Sequence, residues 1–113
     1  LNNGEKASRK YFSPEMIFKM FVCQTEQGGE KWGLGWALNQ PHYMGRLCGE
    51  STFGKTGFTG CMAIGDLEKG VGIVLLSNAI HPKRPENFDK INEIRRDIAD
   101  IVFAEVLTNK VEH

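Results

Sequence analysis

The chain has 113 residues, with 14 Lys and Arg set against 14 Asp and Glu and a formal net charge of zero. A chain this long can bury roughly two-thirds of the surface that its unfolded form exposes, enough for one core without staples. The balanced, interspersed charge argues against a nucleic-acid partner, and no apolar run approaches the roughly 20 residues that cross a bilayer. The polar opening from Leu1 to Lys6 lacks the apolar run of a signal peptide. A start at Leu1 rather than methionine reads as a cut from a longer protein, which leaves localisation open.

Residues 1–12 read as a polar segment, disordered or a linker. Ser13-Pro14-Glu15 then supplies an N-cap, a proline at the first helical position and an acidic first turn. Met16, Ile17, Met20 and Phe21 recur at helical spacing, so a helix with an apolar core stripe is expected to about Gln24, before Gly28-Gly29 breaks the pattern. Trp32-Gly33-Leu34-Gly35-Trp36-Ala37-Leu38 alternates bulky and small residues and reads as the first strand, with both tryptophans in the core. Asn39 to Gly49 reads as a loop with a short strand at Arg46 to Cys48. Thr52 to Phe58 and Cys61 to Ile64 are strand-like, Asp66 to Gly70 is turn chemistry, and Val71 to Ser77 reads as a central strand covered on both faces. After a break at His81 to Pro85, Phe88, Ile91, Ile94, Ile98, Ile101, Val102 and Val106 mark one stripe of a helix to about Leu107, with Arg95-Arg96-Asp97 on its solvated face. Residues 108–113 read as a tail ending in a tag remnant, Val111-Glu112-His113. The expected fold is α+β: an antiparallel sheet of three to four strands flanked by an N-terminal and a C-terminal helix over residues 13–107.

Cys23, Cys48 and Cys61 are odd in number and widely spaced, which indicates neither a disulfide framework nor a zinc site; they read as free, mostly buried thiols. His42 and His81 lack metal-ligand spacing, and no cofactor or metal is expected. Chemistry concentrates in Gly54-Lys55-Thr56-Gly57-Phe58-Thr59-Gly60. Gly49 to Thr56 matches the G-x-x-x-x-G-K-[ST] phosphate loop at every fixed position, but Gly57 and Gly60 oppose the helix that must follow, and no buried parallel strand precedes it. The competing pattern is the Lys-Thr-Gly strand of β-lactamases and penicillin-binding proteins.

In order, the chain offers a Trp-Gly-Leu-Gly-Trp strand, a loop, Gly-Lys-Thr-Gly-Phe-Thr-Gly, a short strand, an Asp/Glu/Lys/Gly turn, Val-Gly-Ile-Val-Leu-Leu-Ser-Asn, and a terminal helix. This order resembles the C-terminal third of the class C β-lactamase-like serine hydrolases, which include D-alanyl-D-alanine carboxypeptidases and esterases. The resemblance implies catalytic roles for Lys55, whose ammonium would stabilise negative charge near the nucleophile, and for Phe58, whose N–H would join an oxyanion hole. It implies substrate-binding roles for Thr56, as a hydrogen-bond donor to a carboxylate, and for Gly57, whose missing side chain admits an acyl substrate. No Ser-x-x-Lys or Tyr-x-Asn occurs in the chain. The nucleophile is therefore expected in an N-terminal part of the same polypeptide, and the chain alone is expected to be inactive. The implied partners are that missing part and a small β-lactam, peptide or ester. The alternatives are a non-catalytic ligand-binding or interaction module and a phosphate-loop nucleotide binder.

Overall fold

The structure, a computed structural model, describes residues 2–112, with side chains through residue 109. Within the stretch expected as linker, β1 (Glu5–Lys6) and β2 (Arg9–Lys10) form a small hairpin whose turn places Ala7 and Ser8 at positive φ. Helix α1 (Pro14–Phe21) starts where the sequence predicts, with the Met16 N–H donating to Ser13 Oγ at 3.2 Å. It ends earlier than expected, because Val22 is already extended, and none of its residues is fully buried. The expected core stripe is only partly covered in this chain: Met16 is exposed, Ile17 and Met20 are half-buried, and the half-buried Phe21 finds its partners in Phe53 (ring centroids 4.1 Å apart) and Trp36 (6.2 Å).

Six antiparallel strands follow one another in chain order: β3 (Thr25–Gln27), β4 (Glu30–Trp32), β5 (Ala37–Leu38), β6 (Thr52–Thr56), β7 (Met62–Asp66) and β8 (Val71–Leu75). The sheet exceeds the expected three to four strands for two local reasons. Gly28 and Gly29 both adopt positive φ and close a β3–β4 hairpin, so they join strands instead of merely ending a helix. The Trp-rich stretch expected as one strand is two: Gly33 donates to the Trp36 carbonyl at 2.8 Å, Gly35 turns at φ 79, and β4 folds back onto β5. No strand forms at residues 46–48; Pro41 instead opens a one-turn helix, α2 (Pro41–Met44).

The core lies on one face of the sheet. Ala37, Gly54, Ile64 and Ile73 are register partners across four strands and form a continuous row. Ala99 and Phe103 of α3 (Asp89–Glu112) and Tyr43 and Met44 of α2 pack in the same cluster. Burying a side chain such as Phe103 contributes on the order of 2–3 kcal/mol. Gly54 fits closely there, because a Cβ would lie 3.0 Å from the Ala63 carbonyl oxygen and 3.2 Å from both Met44 Cε and Ile64 Cγ1. Alternation puts Phe53 on the opposite face, where α1 meets it. Strand β8 is the last in the sheet, and Val74 is 70% exposed, so it is not a central strand. Its continuous aliphatic run encodes two apolar faces, and this chain covers one of them. In α3, the buried line is Ile91, Arg95, Ala99, Phe103, at helical i, i+4 spacing, while Ile94 and Ile101 are exposed. The helix continues through residues 108–112, which were expected as a tail; Leu1 and His113 lie outside the described residues.

Asp66 is fully buried where β7 enters its turn. Its carboxylate accepts from Thr52 Oγ1, from Ser51 Oγ and the Lys69 N–H at 2.8 Å, and from Lys69 Nζ at 3.2 Å. Burial pushes this carboxyl up, but the donors, Thr52 foremost, outweigh burial and hold it below its ordinary value. A depressed folded-state value means that the carboxylate stabilises the fold above the unfolded value, about 3.9, and that this contribution is lost as pH falls through the folded value. Asp66→Asn is therefore expected to lose about 2–3 kcal/mol at pH 7. Urea denaturation should show the gap between variant and wild type closing below about pH 4, and a gap independent of pH would refute this account.

Candidate active-site edge

Lys55 and Thr56 are the last residues of β6, paired with Ala63 and Met62 of β7. On the other side, β5 reaches only to Gly54, opposite Ala37, so among the described residues the far edge of β6 is unpaired from Lys55 onward. Alternation puts Thr56 on the α3 face and Lys55 on the opposite one. Both are exposed, and Lys55 Nζ lies 5.2 Å from the centre of the Trp32 ring. A strand through Lys55-Thr56, followed by a turn into β7, overturns the phosphate-loop alternative, which needs a helix N-terminus at that point.

The chain then turns tightly. The Gly57 N–H donates to the Cys61 carbonyl at 2.8 Å and the Gly60 N–H to the Gly57 carbonyl at 3.0 Å. Gly60 has φ 99, and a Cβ there would meet Ser77 Oγ at 2.6 Å, so both backbone and space demand glycine. Gly57 is different, since a Cβ there would come no closer than 3.5 Å to Cys61 Cβ, an ordinary contact. Phe58 is 55% exposed, with Phe88 at 6.3 Å between ring centroids and the Arg84 guanidinium 5.0 Å from its ring centre. The Phe58 N–H has no partner among the described residues.

Arg95 is where sequence and structure diverge most. Expected on a solvated face, it is only 3% exposed and reaches beneath this turn. Its Nε donates to the Gly60 carbonyl at 3.2 Å and its NH2 to the carbonyls of Gly57 at 3.2 Å and Cys61 at 3.1 Å. Asn92 Oδ1 accepts from NH1 at 2.7 Å, and no carboxylate lies within ion-pair distance among the described residues. Burial pulls the guanidinium below its ordinary value, although an arginine stays charged at neutral pH. The signal available in the sequence was position: Arg95 falls four residues after Ile91, on the apolar line itself.

A cavity of about 260 Å³ opens beside Thr56, Gly57 and Phe58, and is completed by His42, Tyr43, Phe88, Asn92 and Arg95. All five of these were missed as site residues in the sequence, because α2, α3 and the residue just before α3 come to the strand only in the fold. Helix α3 anchors the α2 segment there: Arg96 donates to the His42 carbonyl at 3.1 Å, and Asp100 accepts from the Leu47 N–H at 3.1 Å. Cys61 is half-buried, with Thr59 Oγ1 and the Ser77 N–H both 3.4 Å from its sulfur. These contacts, Thr59 first, hold its thiol below the usual range, but they are hydroxyl and backbone groups and not a base. Ser51 and Ser77 donate to Asp66 and to the Thr59 carbonyl, so neither is poised as a nucleophile.

The Tyr43 hydroxyl is buried without a partner among the described residues, and burial pushes the phenol well above its ordinary value, so it remains protonated. Removing an unpaired buried hydroxyl forfeits no hydrogen bond. Tyr43→Phe is expected to leave stability unchanged or raise it by up to about 1 kcal/mol. A clear fall in thermal midpoint would show that the hydroxyl is engaged.

Comparison with known proteins places this geometry. The model of the family described as Beta-lactamase matches residues 2–96. Two curated relatives, from Escherichia coli O157:H7 and from Escherichia coli strain K12, are each described as "Putative D-alanyl-D-alanine carboxypeptidase". They are 35% and 34% identical to the chain over 85 residues, covering 72% of this chain and 19% of each relative. The chain thus spans about a fifth of the length of these relatives (19%). No solved structure matches it. Because the family match runs from the first hairpin through Arg96, taking in the whole sheet and the Lys-Thr-Gly turn, this chain belongs to the β-lactamase family of serine-hydrolase-like proteins.

Proposed function

We propose that this chain is the C-terminal part of a serine hydrolase. It supplies the Lys-Thr-Gly strand and an oxyanion-hole amide to a site whose nucleophile lies elsewhere in the full-length polypeptide, and it is inactive alone. The observation that carries this reading is the unpaired edge of β6 from Lys55 onward, which leaves a row of backbone groups beside a cavity of about 260 Å³. An acyl substrate lies along that edge as an added strand would. Lys55, whose ammonium lies over Trp32 on the face of β6 opposite Thr56, turns it around the open edge to the reacting centre, where it stabilises developing negative charge and helps organise proton transfer. Thr56 donates its hydroxyl to a substrate carboxylate. Gly57 keeps the edge clear, and the unpartnered Phe58 N–H donates to the oxyanion. The substrate is a β-lactam, a D-alanyl peptide or an ester, and the description of the two Escherichia coli relatives favours the peptide.

Two experiments test this reading. A fluorescent penicillin or fluorophosphonate is expected to label the full-length protein covalently and to leave this chain alone unlabelled, read by intact-protein mass. A folded full-length protein that takes neither reagent would favour a non-catalytic ligand-binding or interaction module. The second test uses Gly57, where this chain's own packing tolerates a methyl group. Gly57→Ala in the full-length protein is expected to keep the thermal midpoint and to slow acylation at least roughly tenfold, about 1.4 kcal/mol. Unchanged acylation would mean that no substrate passes this edge.

A further inference from the structure

We infer that Arg95 is a positioning residue for acyl transfer, one that aims the Phe58 amide at the oxyanion by gripping the other end of the same peptide group. The inference rests on the acyl-transfer reading above. A trans peptide holds its C=O and the following N–H antiparallel in one plane. The Gly57 carbonyl and the Phe58 N–H belong to one such plane, so the 3.2 Å bond from Arg95 to that carbonyl turns the N–H away from α3. Two more bonds remove the remaining freedom. The Cys61 carbonyl, which closes the turn by accepting from Gly57, also accepts from Arg95 at 3.1 Å, and the Gly60 carbonyl accepts from Nε at 3.2 Å. A turn containing two glycines has little stiffness of its own. Here the planar guanidinium fork supplies the missing stiffness, in a geometry that a lysine ammonium cannot reproduce. The fork is itself aimed from α3, because Asn92, one turn earlier, accepts from NH1 at 2.7 Å.

The buried charge is also informative. With no carboxylate beside it among the described residues, Arg95 is compensated by peptide dipoles. These dipoles present carbonyl oxygens to the guanidinium and, at Phe58, an N–H on the side away from it. Loss of the cation would strip the Gly60 carbonyl of its donor and leave the Gly57–Phe58 plane held at its carbonyl by the Gly60 N–H alone, a looser tether, while Lys55, Thr56 and the substrate edge of β6 stay in the β6–β7 ladder. Substrate binding should therefore survive a change that transition-state stabilisation does not.

The test uses the full-length protein with Arg95→Lys and, as a milder second variant, Asn92→Ala. Fluorescent penicillin labelling is followed to completion, and the rate per labelled site is separated from the final extent. A purely structural role would lower the labelled fraction or the thermal midpoint. A positioning role keeps the final extent and the apparent KM and lowers the acylation rate, by roughly 10- to 100-fold for Arg95→Lys and roughly 3- to 10-fold for Asn92→Ala. If the wild-type protein takes no label, the acyl-transfer reading fails and the inference falls with it. If the wild type is labelled and whichever variant folds to full labelling reacts at the wild-type rate, the inference alone is overturned.

Discussion

Three backbone carbonyls converge on one buried guanidinium, and the shape of the candidate site depends on that convergence. A cation taken out of water is costly unless every donor is engaged. Arg95 comes close to this condition, engaging four of its five N–H donors with the carbonyls of Gly57, Gly60 and Cys61 and the Asn92 amide oxygen. The dependence is mutual. The glycine-containing turn closes on its own backbone bonds and is tied to the helix by the guanidinium, and α3 can bury an arginine on its apolar line only because the turn offers acceptors there.

The β6–β7 hairpin is pinned at both ends by a buried charge. At its turn end stands Arg95; at its open end Asp66, in register with Thr52, takes donors from Ser51, Thr52 and Lys69. Helix α3 reaches both ends, since Phe103 lies beneath Lys69 with the ammonium 5.1 Å from the ring centre. The dimensions agree: Arg95 to Phe103 spans about 12 Å of helix, and Thr52 to Thr56 about 13 Å of strand. Between the pins, the row from Ala37 to Ile73 is apolar and Gly54 admits α2. The strand that carries Lys55 and Thr56 is thus rigid behind and unpaired in front, which suits a surface against which another molecule is held.

Where local chemistry decides conformation, the sequence was legible. Ser13-Pro14 marked the start of α1 because capping is a short-range hydrogen bond, and Asp66 to Gly70 marked a turn because its carboxylate bonds the Lys69 amide. The Lys-Thr-Gly strand was legible as well, and with it the family. Misreadings arose where one pattern serves two ends. Gly28-Gly29 can stop a helix or close a hairpin, and Trp-Gly-Leu-Gly-Trp can be a strand or the turn between two. Val71 to Leu75 encodes two apolar faces without saying what lies against each, so β8 was placed at the centre of a sheet that it ends.

From the sequence alone came the α+β class, the antiparallel succession of strands, the long terminal helix and the position of the motif in a strand, because propensity, capping, turn chemistry and period act within a few residues. Only the tertiary structure decided that Arg95 faces inward, that His42, Tyr43, Phe88 and Asn92 line a cavity beside Thr56, and that the edge of β6 is open from Lys55 onward. The physical reason is distance along the chain. Arg95 lies 38 residues from the Gly57 carbonyl that it grips, and a charge on an apolar stripe is read as solvated until the acceptors that satisfy it are brought alongside by the fold.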